Sequence, residues 1–407
     1  MNVREDFLSI AIPDISEAEI YEVVDTLKSG WISVGPKVRQ FEADMAAYHG
    51  VRHAVSVTSC TVGQFLMCRL LGLGEGDYAI VPTITWPSTA STVEQVGATP
   101  LFADVDPQTL NTTPELVEPL LKRYGSRVKM ISPVHVSGLP VDIDGFDALG
   151  EKYGVPVVYD AAHAVFSHYK NRRVGVYGKA SLFSFYATKN ITAGDGGVIT
   201  TNDDELAENL RLWSYHGMDK DSWKRYSKES ASPHVQCVVP GFKFNMTDLN
   251  AALAVAQLRR ADEFLATRNR LMAHYDWIIR RLAWLEPTVR ETPDGGWGNH
   301  VYIVKVVDPD VDRDAVMQAL RKYNVGTNIH FYPVHMNKFY AEKYPGVRLP
   351  VAEKLSQQLL SLPLCTKYTE GDLDYVVDAL DEIHSKRLAH RAGGEQECIQ
   401  TKSSLMV

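Results

Sequence analysis

From Val51 to Tyr159 short apolar runs alternate with amphipathic stretches, and this alternation constrains the fold more than any other feature of the chain. His53 to Val57, Tyr78 to Val81, Leu101 to Ala103, Val128 to Ile131 and Val155 to Tyr159 read as strands. Between them Cys60 to Leu73, Ser88 to Val96, Pro114 to Tyr124 and Ile143 to Tyr153 carry helical spacing. Strands separated by helices cannot be joined by tight turns, so the pattern predicts an α/β fold with a mostly parallel sheet covered on both faces. In that architecture ligands sit at the carboxyl ends of the strands.

The segment Ser181 to Thr201 gives that architecture a chemical centre. An apolar strand ends at Ser184-Phe185, Lys189 follows in a short turn, and a Gly-rich bend leads to a second strand from Val198 to Thr200. Burying a lysine between such strands costs on the order of several kcal/mol unless its amine is used. One recurrent use is a Schiff base, in which a partly desolvated amine attacks a carbonyl.

The flanking regions complete the organisation. Ser16 and Glu19 form a capping box before an apolar helical face of Ile20, Val23, Val24 and Leu27, and Gly30 to Pro36 breaks the chain before a second helix. Helix Asp204 to Tyr215 is followed by a polar loop, Met218 to His234, and then by a long helical region from Thr247 to about Leu285. A strand His300 to Val307, a helix Arg313 to Tyr323, a strand Gly326 to Phe331 and helices Val351 to Leu360 and Gly371 to His384 predict a smaller α+β unit. We expect a large domain over 1–260, a small C-terminal domain over 261–386 and a disordered tail over 387–407. A net charge of −8 with no basic run argues against a nucleic-acid surface. Five scattered cysteines without metal-ligand spacing, no signal-type apolar core and no stretch able to span a bilayer predict a cytoplasmic protein without a metal site.

Several residues fall at the expected strand ends. Asp160 either holds a protonated ring nitrogen or caps the next helix; His163, one turn on, either touches a ring oxygen or fills the core. Thr58 to Thr61 lies between strand and helix, where backbone N–H groups and the helix dipole attract a phosphate or the side chains serve as an N-cap. Ser184 offers a hydroxyl to the same phosphate. Trp86, held extended before Pro87, lies on a ring face or packs in the core.

Six motifs taken together resemble the DegT/DnrJ/StrS family of sugar aminotransferases, of the fold-type I, aspartate-aminotransferase-like class. They are Thr58-Ser-Cys-Thr61, Thr85-Trp-Pro87, Asp160-Ala-Ala-His-Ala164, Phe183-Ser-Phe-Tyr-Ala-Thr-Lys189, Gly194-Asp-Gly-Gly197 and Gly241-Phe-Lys-Phe-Asn-Met-Thr-Asp-Leu249. The likeness spans about residues 10–385 and takes in Gly30 to Pro36 and His330 to His335. It implies that the large domain binds pyridoxal 5′-phosphate and that the chain forms a homodimer with active sites at the subunit interface. It also implies that Lys189 is the Schiff-base lysine, Asp160 the partner of the pyridinium nitrogen, and His163 the neighbour of the ring oxygen. Trp86 would stack on the ring, while Cys60, Thr61 and Ser184 would contact the phosphate. Asn245 matches a phosphate ligand that each subunit donates to the other, and Lys243 is a weaker claimant to that place. Lys243, His330, His335 and the loop 218–234 are candidates for the acceptor pocket.

The activity so implied is transfer of an amino group from an amino acid, with L-glutamate expected, to a nucleotide-linked keto-deoxy sugar. The alternatives are cyclitol amination with glutamine as donor, a sugar dehydratase, or a non-catalytic cofactor-bound regulator. Dehydrating relatives carry histidine in place of the lysine, whereas this chain has Lys189. Cys60 replaces a frequent glycine, Asp195 a frequent glutamate and Val165-Phe166 a frequent glycine-containing pair, so the shape of the substrate site departs from the common pattern.

Overall fold

The structure is a computed structural model that describes residues 1–218, 236–296 and 298–403, with side chains through Leu388. The strands β1 (His53–Val57), β2 (Tyr78–Pro82), β3 (Thr99–Ala103), β4 (Val128–Ile131), β5 (Val158–Asp160), β6 (Ala180–Ser184) and β7 (Gly197–Thr201) build the main sheet. Hydrogen-bonded neighbours run β3-β2-β4 and β5-β6-β7-β1, and parallel bridges Ile131↔Val157 and Val134↔Asp160 join the two runs. β7 alone runs antiparallel to its neighbours. Its connection from β6, residues 185–196, contains no helix, and a parallel crossover normally needs one.

Helices α1 (Glu17–Ser29), α2 (Pro36–His49), α3 (Cys60–Leu70), α4 (Ser88–Gln95), α5 (Pro114–Tyr124), α6 (Ile143–Tyr153), α7 (Asp204–Ser214) and α8 (Asp248–Arg259) flank it. Two apolar clusters cover the sheet. One contains Phe41, Phe146 and Phe183, the other Val55, Leu66 and Ile199, and all six side chains are buried. α3 begins where β1 ends because Ser59 caps it, its Oγ accepting from Val62 N at 3.2 Å. The close approach of β7 to this turn requires glycine. A Cβ on Gly197 would lie 2.5 Å from Cys60 N.

A second core gathers around the antiparallel strands β8 (Leu285–Pro287), β9 (Tyr302–Val306) and β10 (Leu359–Leu362), with α9 (Ala261–Ile278) and α10 (Arg313–Lys322) packed on it. Leu8 belongs to this core, its backbone pairing with Asn324 and Gly326. The long helical region expected from Thr247 is two helices broken at Arg260, with β8 at its end. The expected strand Gly326 to Phe331 forms only an isolated bridge, Asn328↔Ser361. The helix expected over Val351 to Leu360 stops at Leu355, because Leu359–Leu362 is drawn into the sheet beside β9. The last helix runs Glu370–Ser403 and so continues into the stretch expected to be a tail. Met218 is described, while the rest of the polar loop expected to reach His234 lies outside the described residues. No helix among the described residues is long and apolar enough to cross a membrane.

Candidate active site

A cavity of about 600 Å³ opens beyond the carboxyl ends of β5 and β6, beside the N-terminus of α3. Lys189, Asp160, His163, Cys60, Thr61, Ser184 and Trp86 all line it, as does His330. The first seven, up to 129 positions apart in sequence (Cys60 to Lys189), meet in one place because each ends or follows a strand of the main sheet or begins the helix after one.

Lys189 lies in the turn after β6, its backbone N–H donating to Tyr186 O at 2.9 Å. Its Nζ forms no hydrogen bond or ion pair with a described residue. Burial pulls the ammonium down to about 8, only partly opposed by the charges of Asp160 and Cys60. Near neutrality an appreciable fraction of this amine is therefore unprotonated and nucleophilic.

Asp160 ends β5 and is buried. Burial pushes its carboxyl up, while four influences pull against it: the Ala162 N–H, the Lys189 charge, Thr89 and Gln64. Ala162 N donates to Oδ1 at 3.1 Å; Gln64 Nε2 and Thr89 Oγ1 donate to Oδ2 at 2.6 and 3.2 Å.

His163 is held neutral, far below the ordinary histidine range, by burial and by the positive charge of Lys189. Ser137 N donates to its Nδ1 at 3.2 Å, so the ring proton of the neutral form sits on Nε2. The His163 ring packs 4.2 Å from that of His300 and 5.5 Å from Phe331. His300, which also lines the cavity, has the opposite tautomer. Asn190 Nδ2 donates to Gly298 O, leaving Asn190 Oδ1 to accept from His300 Nδ1 at 2.8 Å. Burial brings His330 down to about 3, and its Nδ1 lies 2.8 Å from Ser361 Oγ.

Trp86 and Tyr186 stand at the mouth, 63% and 51% exposed. Three of the expected residues lie outside the cavity lining. Asn245 pairs with Val57 through the backbone and donates from Nδ2 to Met246 O, while its Oδ1 is buried without a hydrogen-bond partner. Lys243 sits over the Tyr215 ring, 4.2 Å from its centroid. His335 is a core residue here, its Nδ1 2.6 Å from Thr83 Oγ1 and its Nε2 3.5 Å from Glu353. The backbone places it there, because Val334 N donates to Thr83 O at 2.8 Å and draws this segment against the end of β2.

Gln64, Thr89, Asn190 and His300 are the residues that sequence reading misses. Gln64 falls four residues after Cys60, and Thr89 four after Thr85, so each shares a helical face or turn with a residue already singled out. His300 has no local signal at all, since it reaches the cavity from the irregular segment leading into β9.

An unpaired, partly neutral lysine amine, a buried carboxylate anchored by donors, and the first turn of a helix facing one cavity fit pyridoxal 5′-phosphate: an aldehyde, a ring nitrogen and a phosphate each have a matching group. The fold and the cavity thus define a pyridoxal-phosphate enzyme of fold-type I. The sequence profile of the DegT/DnrJ/EryC1/StrS aminotransferase family matches residues 13–381, and the chain belongs to that family. It is 41% identical over 386 residues, 93% of this chain and 98% of the relative, to the spore coat polysaccharide biosynthesis protein SpsC of Bacillus subtilis (strain 168). Among solved structures, the PMP-form of the putative sugar aminotransferase Spr1654 from Streptococcus pneumoniae superposes with a TM-score of 0.84 at 30% identity, covering 93% of this chain and 99% of that one. DesI, crystallised in the presence of its TDP-sugar product, superposes with a TM-score of 0.83 at 29% identity over 96% of both chains. The chain is accordingly a pyridoxal-phosphate-dependent aminotransferase.

Proposed function

We propose that the chain moves an amino group from L-glutamate to the keto group of a nucleotide-linked keto-deoxy sugar. The observation that carries this reading is the free, partly neutral amine of Lys189 in the same cavity as Asp160. The product named for DesI and the cavity volume of about 600 Å³ support an acceptor larger than an amino acid.

When bound, pyridoxal 5′-phosphate supplies the electron sink that lets an amine and a ketone exchange. The protein supplies the rest. Lys189 would hold the cofactor's aldehyde, and its amine, as a positioned base, would carry a proton to and from the substrate carbon. Asp160 would accept from the ring nitrogen and keep it charged. His163, with its proton on Nε2, would donate to the ring oxygen, and Trp86 would cover the ring. Cys60, Thr61 and Ser184 would meet the phosphate at the start of α3. Asn245 belongs to a second site: its unpartnered buried Oδ1 and its place outside the cavity support donation across a homodimer.

Lys189→Ala is expected to abolish turnover and the absorbance of the bound cofactor at about 420 nm. The acceptor is tested by mass spectrometry of the half-reaction. Enzyme loaded with amine from glutamate should lose it to a nucleotide-linked keto sugar. Loading from glutamine and discharge to an inosose would replace this reading with cyclitol amination, and spectra without discharge to any keto compound would mark a regulator.

A further inference from the structure

We propose that Gln64 is a positioning residue for the reaction, fixing the carboxylate of Asp160 in one orientation as the acceptor that the cofactor's ring nitrogen meets. The inference rests on the reading of Asp160 as the ring-nitrogen partner. Gln64 projects from the second turn of α3, is buried, and lines the cavity. Its Nε2 donates to Asp160 Oδ2 at 2.6 Å, shorter than the 3.2 Å from Thr89 Oγ1 to the same oxygen.

The direction of the amide is set by electrostatics. Flipping it would place Gln64 Oε1 against Asp160 Oδ2 at that same short separation, acceptor against acceptor. In the observed orientation Oε1 is buried with no hydrogen-bond partner. A buried acceptor left unpaired is costly, so the amide is held by what its other end does. Thr89 is the weaker donor to the same oxygen, 3.2 Å away against 2.6 Å for Gln64. With Ala162 N on Oδ1, the carboxylate is gripped at both oxygens by groups on three separate segments, α3, α4 and the turn after β5.

The charged form of Asp160 must survive burial. Among the described groups facing it, Lys189 favours the carboxylate and the Cys60 thiol lies close enough to couple to it. Removing the Gln64 donor leaves desolvation less opposed, so the carboxyl would take up its proton at a higher pH. A protonated Asp160 keeps an acceptor oxygen but loses the negative charge that holds a charged ring nitrogen.

The test is a titration of apoprotein with pyridoxal 5′-phosphate across pH, followed by tryptophan fluorescence and cofactor absorbance. Gln64→Met keeps the length and loses the donor; it should weaken binding about tenfold or more at neutral pH, the loss expected for a hydrogen bond to a charged group. Its acid-side loss of affinity should begin at a higher pH than in the wild type. Gln64→Glu is nearly isosteric and places a second carboxylate beside the first, so its acid-side loss should begin at a still higher pH. A packing role carries no proton and would leave the Gln64→Met profile unshifted. Wild-type affinity and pH dependence in both variants, with binding lost in Asp160→Ala, would overturn the role of Gln64 alone. Wild-type binding by Asp160→Ala would overturn the reading of Asp160 as well. Should Gln64→Met fail to fold, Gln64→Leu, which also removes the donor without adding a charge, decides the question.

Discussion

At the scale of single residues the site is built by making charges uncomfortable. Lys189 carries an ammonium whose proton is loosened to about 8 by burial. An unfolded lysine titrates near about 10.4, so between these values the unfolded chain binds more protons and stability rises with pH. Below about pH 8 the full penalty is present in the apoprotein. We therefore expect apo Lys189→Met to resist urea better than the wild type at pH 7, with the advantage shrinking as the pH rises towards about 10. Equal midpoints at pH 7 would show that the ammonium is not strained. Lys189 and Asp160 are legible in the sequence because each closes or follows an apolar strand, where an idle charge would be too costly to keep. Gln64 and His300 are not. Nothing in a glutamine within an amphipathic helix says which neighbour its amide will meet, and the His163–His300 contact exists only once residues 137 positions apart are folded together.

At the scale of elements, the joint between β1, α3 and β7 sets the end of the cavity lined by Cys60 and Thr61, where the phosphate is proposed to sit. Gly197 lets β7 start against the first turn of α3; a Cβ there would meet Cys60 N and the Ser59 carbonyl carbon, both at 2.5 Å and both backbone. Backbone cannot rotate away as a side chain can. Gly197→Ala should thus cost about 1–3 kcal/mol of stability, the range for overpacking a tight interior, measured by urea unfolding. It should also weaken cofactor binding, because the turn that moves is the one carrying Cys60 and Thr61. An unchanged urea midpoint would mean that the joint has slack. The alternation from Val51 to Tyr159 is readable because helical and strand periods differ and each strand ends in a turn. The antiparallel direction of β7 is not announced by its own residues; it follows from the short connection that carries Lys189. Leu359 and Leu360 read as the end of a helix in the sequence because paired leucines fit either period, and only pairing with β9 makes them part of a strand.

At the scale of the whole molecule, α1 is inside out. Its buried residues are Glu19 and Thr26, while Ile20, Tyr21, Val24 and Leu27 face solvent, Tyr21 and Leu27 at 71% and 54% exposure. The capping box accounts for the inward carboxylate. Burial alone would raise the Glu19 carboxyl, but Ser16, Gln257 and Arg260 hydrogen-bond it and hold it below its ordinary value. Glu19 thereby locks the helix with its apolar stripe turned out. Ile12, Ile15 and Ile32 extend the exposed apolar surface beside it. A stripe of this kind marks an interaction surface, and the homodimer proposed above would cover it with a second copy of the chain, the same copy whose site Asn245 would serve. Asp248 ties this region to Asn245: its carboxylate accepts from the backbone N–H groups of Gly35, Lys37 and Val38 at 2.8, 3.2 and 3.0 Å, anchoring the start of α2 beside the segment that carries Asn245. The double variant Val24→Asp, Leu27→Asp places two charges on the stripe without touching the cavity lining. Sedimentation equilibrium should find it monomeric, and a monomer lacking the exchanged Asn245 should bind pyridoxal 5′-phosphate more weakly than the wild type. A variant that stays dimeric with unchanged cofactor affinity would remove α1 from the interface, and the inverted helix would need another partner.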